Sequence, residues 1–418
     1  MELALNGKSV ESQGGATRIP AGLTRFISTG RPDAEAVAIL NHLLDEAADL
    51  PASDIHLESE ENGVRVRLRQ FGKLRTVMTV NEHVGENMLM KVRATSRVSI
   101  TDRETPQDGR IAFFAAGRRV DVRVSVVPTI LGDSIVMRLL DSRNSHFSLS
   151  RLRMTETCEK ALKDIINKPE GLFLMVGPTG SGKSTTLYSI VNELNRDDTK
   201  IITFEDPVES LLPGVQQFDA GGGRTSFAKG LRAALRHDPD VILVGEIRDA
   251  ETAGIAMQAA NTGHLVLSTL HTNGAVQTLT RLLDLGVDAA TLGVSFLGVI
   301  AQRLAPLACP HCLESGTPTG EMRSWLREVG ASSEANYALA APGCERCDGR
   351  GSIGRVPVME MIVNSKSVRR ALERGDRQAI EEAAGLQPQF EQLVAAGLRF
   401  AREGLVTLSE VRRLTSDD

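Results

Sequence analysis

The chain changes hydrophobic rhythm as it is read from the N-terminus. Up to about Arg31 it is rich in Gly, Ser, Thr and Pro with no sustained period, which predicts a flexible terminus. From Pro32 onward, Val37, Leu40 and Leu44 recur at helical spacing with Ile39 and Leu43 beside them, and an amphipathic helix is expected. Between Asp54 and Val80 the period drops to two. Ile55 and Leu57, then Val64, Val66 and Leu68, alternate with polar residues, and Gly63 and Gly72 punctuate antiparallel strands. A helix around Glu86–Ala94 follows, then a second alternating stretch through Ile111, Phe113, Val120, Val122, Val124 and Val126. This α+β module closes near Leu140.

The polar stretch Asp141–Ser150 reads as a linker, and beyond it the texture differs. Short apolar runs at Leu172–Val176, Ile201–Phe204, Val241–Val244 and Leu265–Leu267 alternate with helical stretches. Uninterrupted apolar strands of this kind are buried on both faces of a mostly parallel sheet. The expected organisation is a flexible terminus at 1–31, an N-terminal domain at 32–142, a linker at 143–150 and a larger α/β domain at 151–418. That larger domain includes a cysteine-bearing insertion at about 306–355 and short amphipathic helices over 365–418.

Composition narrows the function. Of 418 residues, 41% are hydrophobic, enough for a sizeable core and too many for wholesale disorder. Lys and Arg number 48 against 53 Asp and Glu, a formal charge of −5 that argues against a general nucleic-acid binder. The N-terminus lacks the pattern of a signal peptide. The longest apolar run, Leu292–Leu307, is interrupted by Ser295, Gln302 and Arg303 and falls short of the ~20 residues a membrane span needs. A cytoplasmic protein is expected.

The sharpest local signal is GPTGSGKST, comprising Gly177, Pro178, Thr179, Gly180, Ser181, Gly182, Lys183, Ser184 and Thr185. It follows an apolar strand and opens a helix, the context a phosphate-binding loop requires. The glycines let successive N–H groups converge on phosphate oxygens, and the helix N-terminus adds partial positive charge. Lys183 reaches the β- and γ-phosphates and the Ser184 hydroxyl suits Mg²⁺. Downstream, DPDVILVGEIRD has Gly245 where such strands usually carry a metal-binding Asp, leaving Glu246 to polarise water. ITFEDPVE offers Glu205, Asp206 and Glu209 as replacements near the metal, and TGHLVLSTLHTN brackets a strand with His264 and His271, either of which could sense the γ-phosphate or hold water.

Cysteines supply a second chemistry. Cys309, Cys312, Cys344 and Cys347 form two C-x-x-C pairs separated by 31 residues. Four thiolates suit tetrahedral Zn²⁺ and leave no open position, so the metal is expected to be structural, knotting an insertion too polar to make its own core. His311 is a lesser candidate ligand, and Cys158 reads as ordinary packing.

Taken together these segments resemble the secretion-system and type IV pilus assembly ATPases, the GspE/PilB group of the type II/IV secretion superfamily. The glycine before Glu246 is that family's own pattern. ASDIHLE, PQDGRI, RVDVRVSVVPTILGDSIVMRLLD, AQRLAPLACPHC and GCERCDGRGSIGRVPVMEMI also look like family segments, and the likeness covers about residues 34–418. The resemblance implies a RecA-like ATPase domain behind a PAS-like N-terminal domain, binding ATP and Mg²⁺ and assembled as a homohexamer. It implies that Arg110 and Arg123 swing onto the γ-phosphate. It also implies work at the cytoplasmic face of the inner membrane, on a polytopic platform protein of GspF/PilC type and with a recruitment protein, without direct nucleic-acid contact. The four-cysteine module, absent from retraction motors, favours assembly or secretion. Two other readings compete: a nucleic-acid translocating motor, and a nucleotide-gated scaffold suggested by Gly245.

Overall fold

The computed structural model describes residues 32–415, apart from 50–51, 71–72, 116–117, 141–146, 221–225 and 348. The terminus at 1–31 lies outside the described residues. The chain divides into two compact units, one ending at Ser145 and the other beginning at His146.

The first unit runs α1 (Pro32–Asp49), β1 (Ala52–Glu60), β2 (Gly63–Gln70), β3 (Lys73–Val80), α2 (Glu82–Ser96), β4 (Gln107–Ala115), β5 (Arg118–Thr129) and β6 (Gly132–Leu140). Its strands form an antiparallel sheet in the order β3-β2-β1-β6-β5-β4. The period-two residues Ile55, Leu57, Val66, Val122, Ile135 and Met137 are buried in one core with Ile39 and Leu43 of α1 and Met88 of α2. Each such side chain contributes about 1.5–3 kcal/mol through burial. Val37, grouped with the apolar face of α1 by spacing, is instead 36% exposed. Ala36 and Ala47 are buried together with Ile39, Leu40, Leu43 and Leu44, so the buried stripe mixes small and large residues. α2 begins four residues before the expected Glu86, because the Asn81 side chain accepts from the Val84 N–H at 3.0 Å and caps it.

The sheet's other face carries a cross-strand row in register: Arg69, Asp54, Arg138, Arg123 and Arg110. Asp54 is 3% exposed. Burial works against its charge, yet hydrogen bonds from Arg138 and Ser53 hold its carboxyl below the usual range.

In the second unit the strands are β7 (Gly171–Val176), β8 (Ile201–Glu205), β9 (Gln216–Asp219), β10 (Val241–Val244), β11 (Leu265–Leu270), β12 (Phe296–Ala308), β13 (Glu314–Gly316), β14 (Tyr337–Ala340) and β15 (Ser352–Val363). The helices are α3 (Glu156–Ile166), α4 (Lys183–Leu194), α5 (Phe227–Ala234), α6 (Ala250–Asn261), α7 (Ala275–Asp284), α8 (Ala289–Ser295), α9 (Gly320–Glu328), α10 (Lys366–Glu373), α11 (Arg377–Gly385), α12 (Leu393–Arg402) and α13 (Leu408–Thr415). The main sheet has the order β15-β12-β7-β11-β10-β8-β9, parallel except where β12 meets β15. Leu172, Leu174, Ile242 and Val244 pack against α5, α6 and α7, while Phe173, Met175, Val241 and Leu243 pack against α3 and α4. Both faces are covered, which is why these strands read as unbroken apolar runs.

Three segments bear on the expectation. Residues 147–150, within the expected linker, pack on the second unit: Phe147 and Leu149 are buried beside Leu152, with the Phe147 ring edge-on to Tyr188 at 5.1 Å. The run Leu292–Leu307 is split between α8 and β12. No helix among the described residues is long and apolar enough to cross a membrane. The cysteine-bearing insertion has no core of its own; Leu326 and Tyr337 pack with Val356, Phe400 and Val411, sharing a core with α12 and α13.

Candidate nucleotide site and cysteine centre

Parallel register sets the site. Leu270 pairs with Val176, Val244 with Ser268, and Val244 with Phe204, so the C-terminal ends of β7, β11, β10 and β8 lie side by side. Ligands of open α/β sheets bind at that edge. Gly177, His271, Gly245–Glu246 and Glu205 all leave the sheet there.

The loop after β7 has the backbone of an anion cradle. Gly177, Gly180 and Gly182 adopt φ of +139°, +80° and +88°, which side-chain-bearing residues rarely do. Gly182 caps α4, so the N-terminus of that helix faces the loop. A Cβ on Gly177 would lie 2.3 Å from the carbonyl oxygen of Gln302, so the loop tolerates no side chain at its start. Lys183 Nζ donates to the carbonyls of Gly177 at 2.7 Å and Pro178 at 3.1 Å. Burial lowers its pKa, opposed by Glu246 and Glu209 nearby. The Ser181 hydroxyl is buried without a partner. A phosphate group, rich in acceptors and negative charge, fits this set.

Opposite the loop, Glu246 is 9% exposed. It pairs with Arg248, and His271 Nε2 lies 3.2 Å from its Oε2 without the alignment of a hydrogen bond. The structure also accounts for Gly245. A Cβ there would press on Phe204 O at 3.1 Å and Glu205 Cα at 3.3 Å, so the close approach of β8 makes any side chain at this position a tight fit.

Glu205 is buried, and its carboxylate is already engaged. It accepts from Tyr188 OH, from Thr203 Oγ1 at 2.6 Å and from Gln217 Nε2 at 3.3 Å. Burial pushes its pKa up, and these three donors pull it partly back. Asp206 and Glu209 are exposed. His264 is not brought into the cluster. It precedes β11 at the end where Leu265 pairs with Gly171, six residues of strand from His271, and its Nδ1 lies 3.1 Å from Ala259 O. Seven steps at ~3.3 Å per residue put about 23 Å between the two histidines. Arg110 and Arg123 belong to the first unit, directly opposite each other on β4 and β5.

Sequence reasoning passed over Tyr188, Arg248, Gln302 and Arg303. The last two are buried on β12, where Gln302 bonds both Thr186 and Ser181 O. Their only signal is polarity inside an apolar run.

The four cysteine sulfurs lie within 4.8 Å of one another, with Cys309–Cys344 and Cys312–Cys347 at 3.9 Å and Cys344–Cys347 at 3.8 Å. A tetrahedral Zn²⁺ with Zn–S of ~2.3 Å sets sulfurs about 3.8 Å apart, so the donor set fits. Backbone N–H groups of Cys344 and Gly351 each reach Cys347 Sγ at 3.2 Å and bring its pKa down to about 6, favouring thiolate. His311 Nε2 faces Arg346 at 3.1 Å, outside the sulfur group. Cys158 is buried beside Met361, and burial pushes its thiol up to about 12, as for an inert packing residue.

The description "Type II/IV secretion system protein" matches residues 31–413 as a family model. The type II secretion system protein E of Aeromonas hydrophila is 40% identical over 389 residues, 92% of this chain and 77% of that protein. The type II secretion system ATPase E of Vibrio cholerae is 39% identical over 388 residues, 92% and 76% of the two chains. Among solved structures, the pilus retraction motor PilT with bound ADP superposes with a TM-score of 0.67 at 27% identity, covering 90% of this chain and 96% of that one.

Proposed function

The chain belongs to the type II/IV secretion system protein family, and from that membership we propose how its own residues carry out ATP hydrolysis and what the hydrolysis drives. It is an ATPase of the type II secretion and type IV pilus assembly group. The observation that supports a residue-level reading is the convergence of the 177–185 loop, Glu246 and His271 at one edge of the parallel sheet.

ATP binds with its phosphates in the loop, held by backbone N–H groups and Lys183. Lys183 exchanges the carbonyls of Gly177 and Pro178 for phosphate oxygens. Mg²⁺ bound by Ser184 supplies charge neutralisation at the phosphates. Glu246 is the water-orienting base, with Arg248 paired to its carboxylate and His271 beside it. Glu205 acts from behind, at the end of β8, through its hydrogen-bonded network rather than as a freely placed metal ligand. Zn²⁺ in the cysteine cluster fixes the 306–355 insertion.

The remainder of the proposal rests on resemblance alone. Arg110 and Arg123, directly opposite each other on β4 and β5, contact the γ-phosphate through permanently charged guanidinium groups. The working assembly is a homohexamer at the cytoplasmic face of the inner membrane, acting on a polytopic platform protein together with a recruitment protein.

Glu246→Gln tests the central assignment. The variant is expected to retain ATP binding and to lose turnover by ~10²–10⁴-fold, the usual worth of a positioned base. Phosphate release at the unaltered rate would remove Glu246 from the mechanism.

A further inference from the structure

β12 is apolar along most of its length, but its middle carries Gln302 at 1% exposure and Arg303 at 6%. A buried primary amide is costly unless its donors and acceptor are met. Gln302 meets them on the phosphate loop and the helix behind it. Its Oε1 accepts from Thr186 Oγ1 at 2.8 Å and its Nε2 donates to the Ser181 carbonyl at 2.7 Å. The orientation of the amide is forced, because a backbone carbonyl only accepts and the NH₂ end must therefore face Ser181.

That contact has a geometric consequence. In a trans peptide the C=O and the following N–H point in opposite directions. Drawing the Ser181 carbonyl toward β12 turns the Gly182 N–H away from β12, into the loop. Gly182 has φ of +88° and no side chain to hold its peptide in one orientation. The loop lies close against the same residue at its start and its middle: added Cβ atoms would come 2.3 Å from Gln302 O at Gly177 and 2.9 Å from Gln302 Nε2 at Gly182. Arg303 ties down a second loop, donating to the carbonyl of Asn273, just past His271, at 3.0 Å.

We infer that Gln302 is a positioning residue for nucleotide binding, its amide locking the Ser181–Gly182 peptide so that the Gly182 N–H points at phosphate. The inference rests on the nucleotide-binding reading above and adds to it the device that keeps a glycine-rich loop in its binding form. A rival account makes Gln302 a polar core residue that satisfies whatever lies beside it, with no bearing on phosphate.

The experiment is a fluorescent ADP titration of the full chain, with a melting curve for each variant. Gln302→Met keeps length and removes both hydrogen bonds. It should weaken ADP by about 10- to 100-fold, the worth of one hydrogen bond to a charged group. Gln302→Glu keeps the acceptor for Thr186 but sets a carboxylate against the Ser181 carbonyl, and should weaken ADP at least as much. Thr186→Val removes only the other half of the contact and should stay within about threefold, although it too strips a buried partner. The proposal is overturned if Gln302→Met binds ADP like the unaltered chain, or if Thr186→Val weakens ADP as much as Gln302→Met. Should the Met variant not fold, the Glu variant decides by the same criteria. Failure of the unaltered chain to bind ADP would instead sink the nucleotide reading itself.

Discussion

The proposed nucleotide loop and the proposed zinc centre both adjoin β12, and they are built by opposite means. At the cysteines the ligand atoms are side chains, so two C-x-x-C pairs spell out the whole donor set, and folding has only to bring the halves together. At the phosphate loop the ligand atoms are backbone N–H groups. The motif supplies the freedom to point them inward, through Gly177, Gly180 and Gly182, but not the constraint that keeps them there. The constraint comes from Gln302, more than a hundred residues downstream in sequence. A side-chain site therefore declares itself in sequence; a backbone site declares only half.

The largest expected effect separates the two sites. Structural Zn²⁺ commonly contributes ~10–16 kcal/mol to a small domain that cannot fold without it. Cys309→Ser should therefore abolish stoichiometric zinc and open the 306–355 insertion to protease, while ADP affinity falls by less than in Gln302→Met. Full zinc content in Cys309→Ser would show that the four sulfurs are not one centre. An ADP loss larger than in Gln302→Met would show that the two sites are not built independently.

The histidine pair gives a smaller effect. His271 stands beside Glu246 and His264 stands at the far end of β11. His271→Ala should lower turnover by ~10-fold or more, while His264→Ala stays within about twofold. Equal losses in steady-state hydrolysis would contradict the strand-end assignment.

The same contrast explains what was legible. Period-two and apolar-run patterns located β1, β2, β5, β7, β8, β10 and β11, since burial on one face or two leaves a direct mark on sequence. Leu292–Leu307 was harder. Gln302 and Arg303 look like interruptions of an apolar run, when they are polar groups buried on purpose against backbone carbonyls. Glu205 was named from its place at a strand end, yet its partners Tyr188 and Gln217 come from α4 and β9, and no local spacing announces them. Val37 is a simpler case: it is exposed, while Ala36 and Ala47, which count little in a hydrophobic pattern, are buried.

The smallest effect concerns the tie between α4 and β8, where side chains again aim the functional group. Tyr188 OH donates to Glu205 and accepts from the N–H of Glu209 at 3.2 Å, so one hydroxyl joins the phosphate-loop helix to the acidic loop. The folded-state pKa of Glu205 is raised by burial, so the folded chain binds its proton more tightly than the unfolded chain does. Its ionisation therefore costs stability, absent below the ordinary carboxylate range and fully present once pH exceeds the raised value. Tyr188→Phe keeps the ring against Phe147 but withdraws one of three donors that stabilise the carboxylate, raising that pKa further. The melting-temperature deficit of the variant should consequently be greater at pH 8 than at pH 5. A simple packing defect would cost the same at both. On the proposed reading, in which Glu205 supports the site as a carboxylate, the acid limb of the turnover profile should move to higher pH in the same variant. A deficit that shrinks with rising pH would mean that the hydroxyl stabilises the protonated acid, and Glu205 would then act as a neutral structural group.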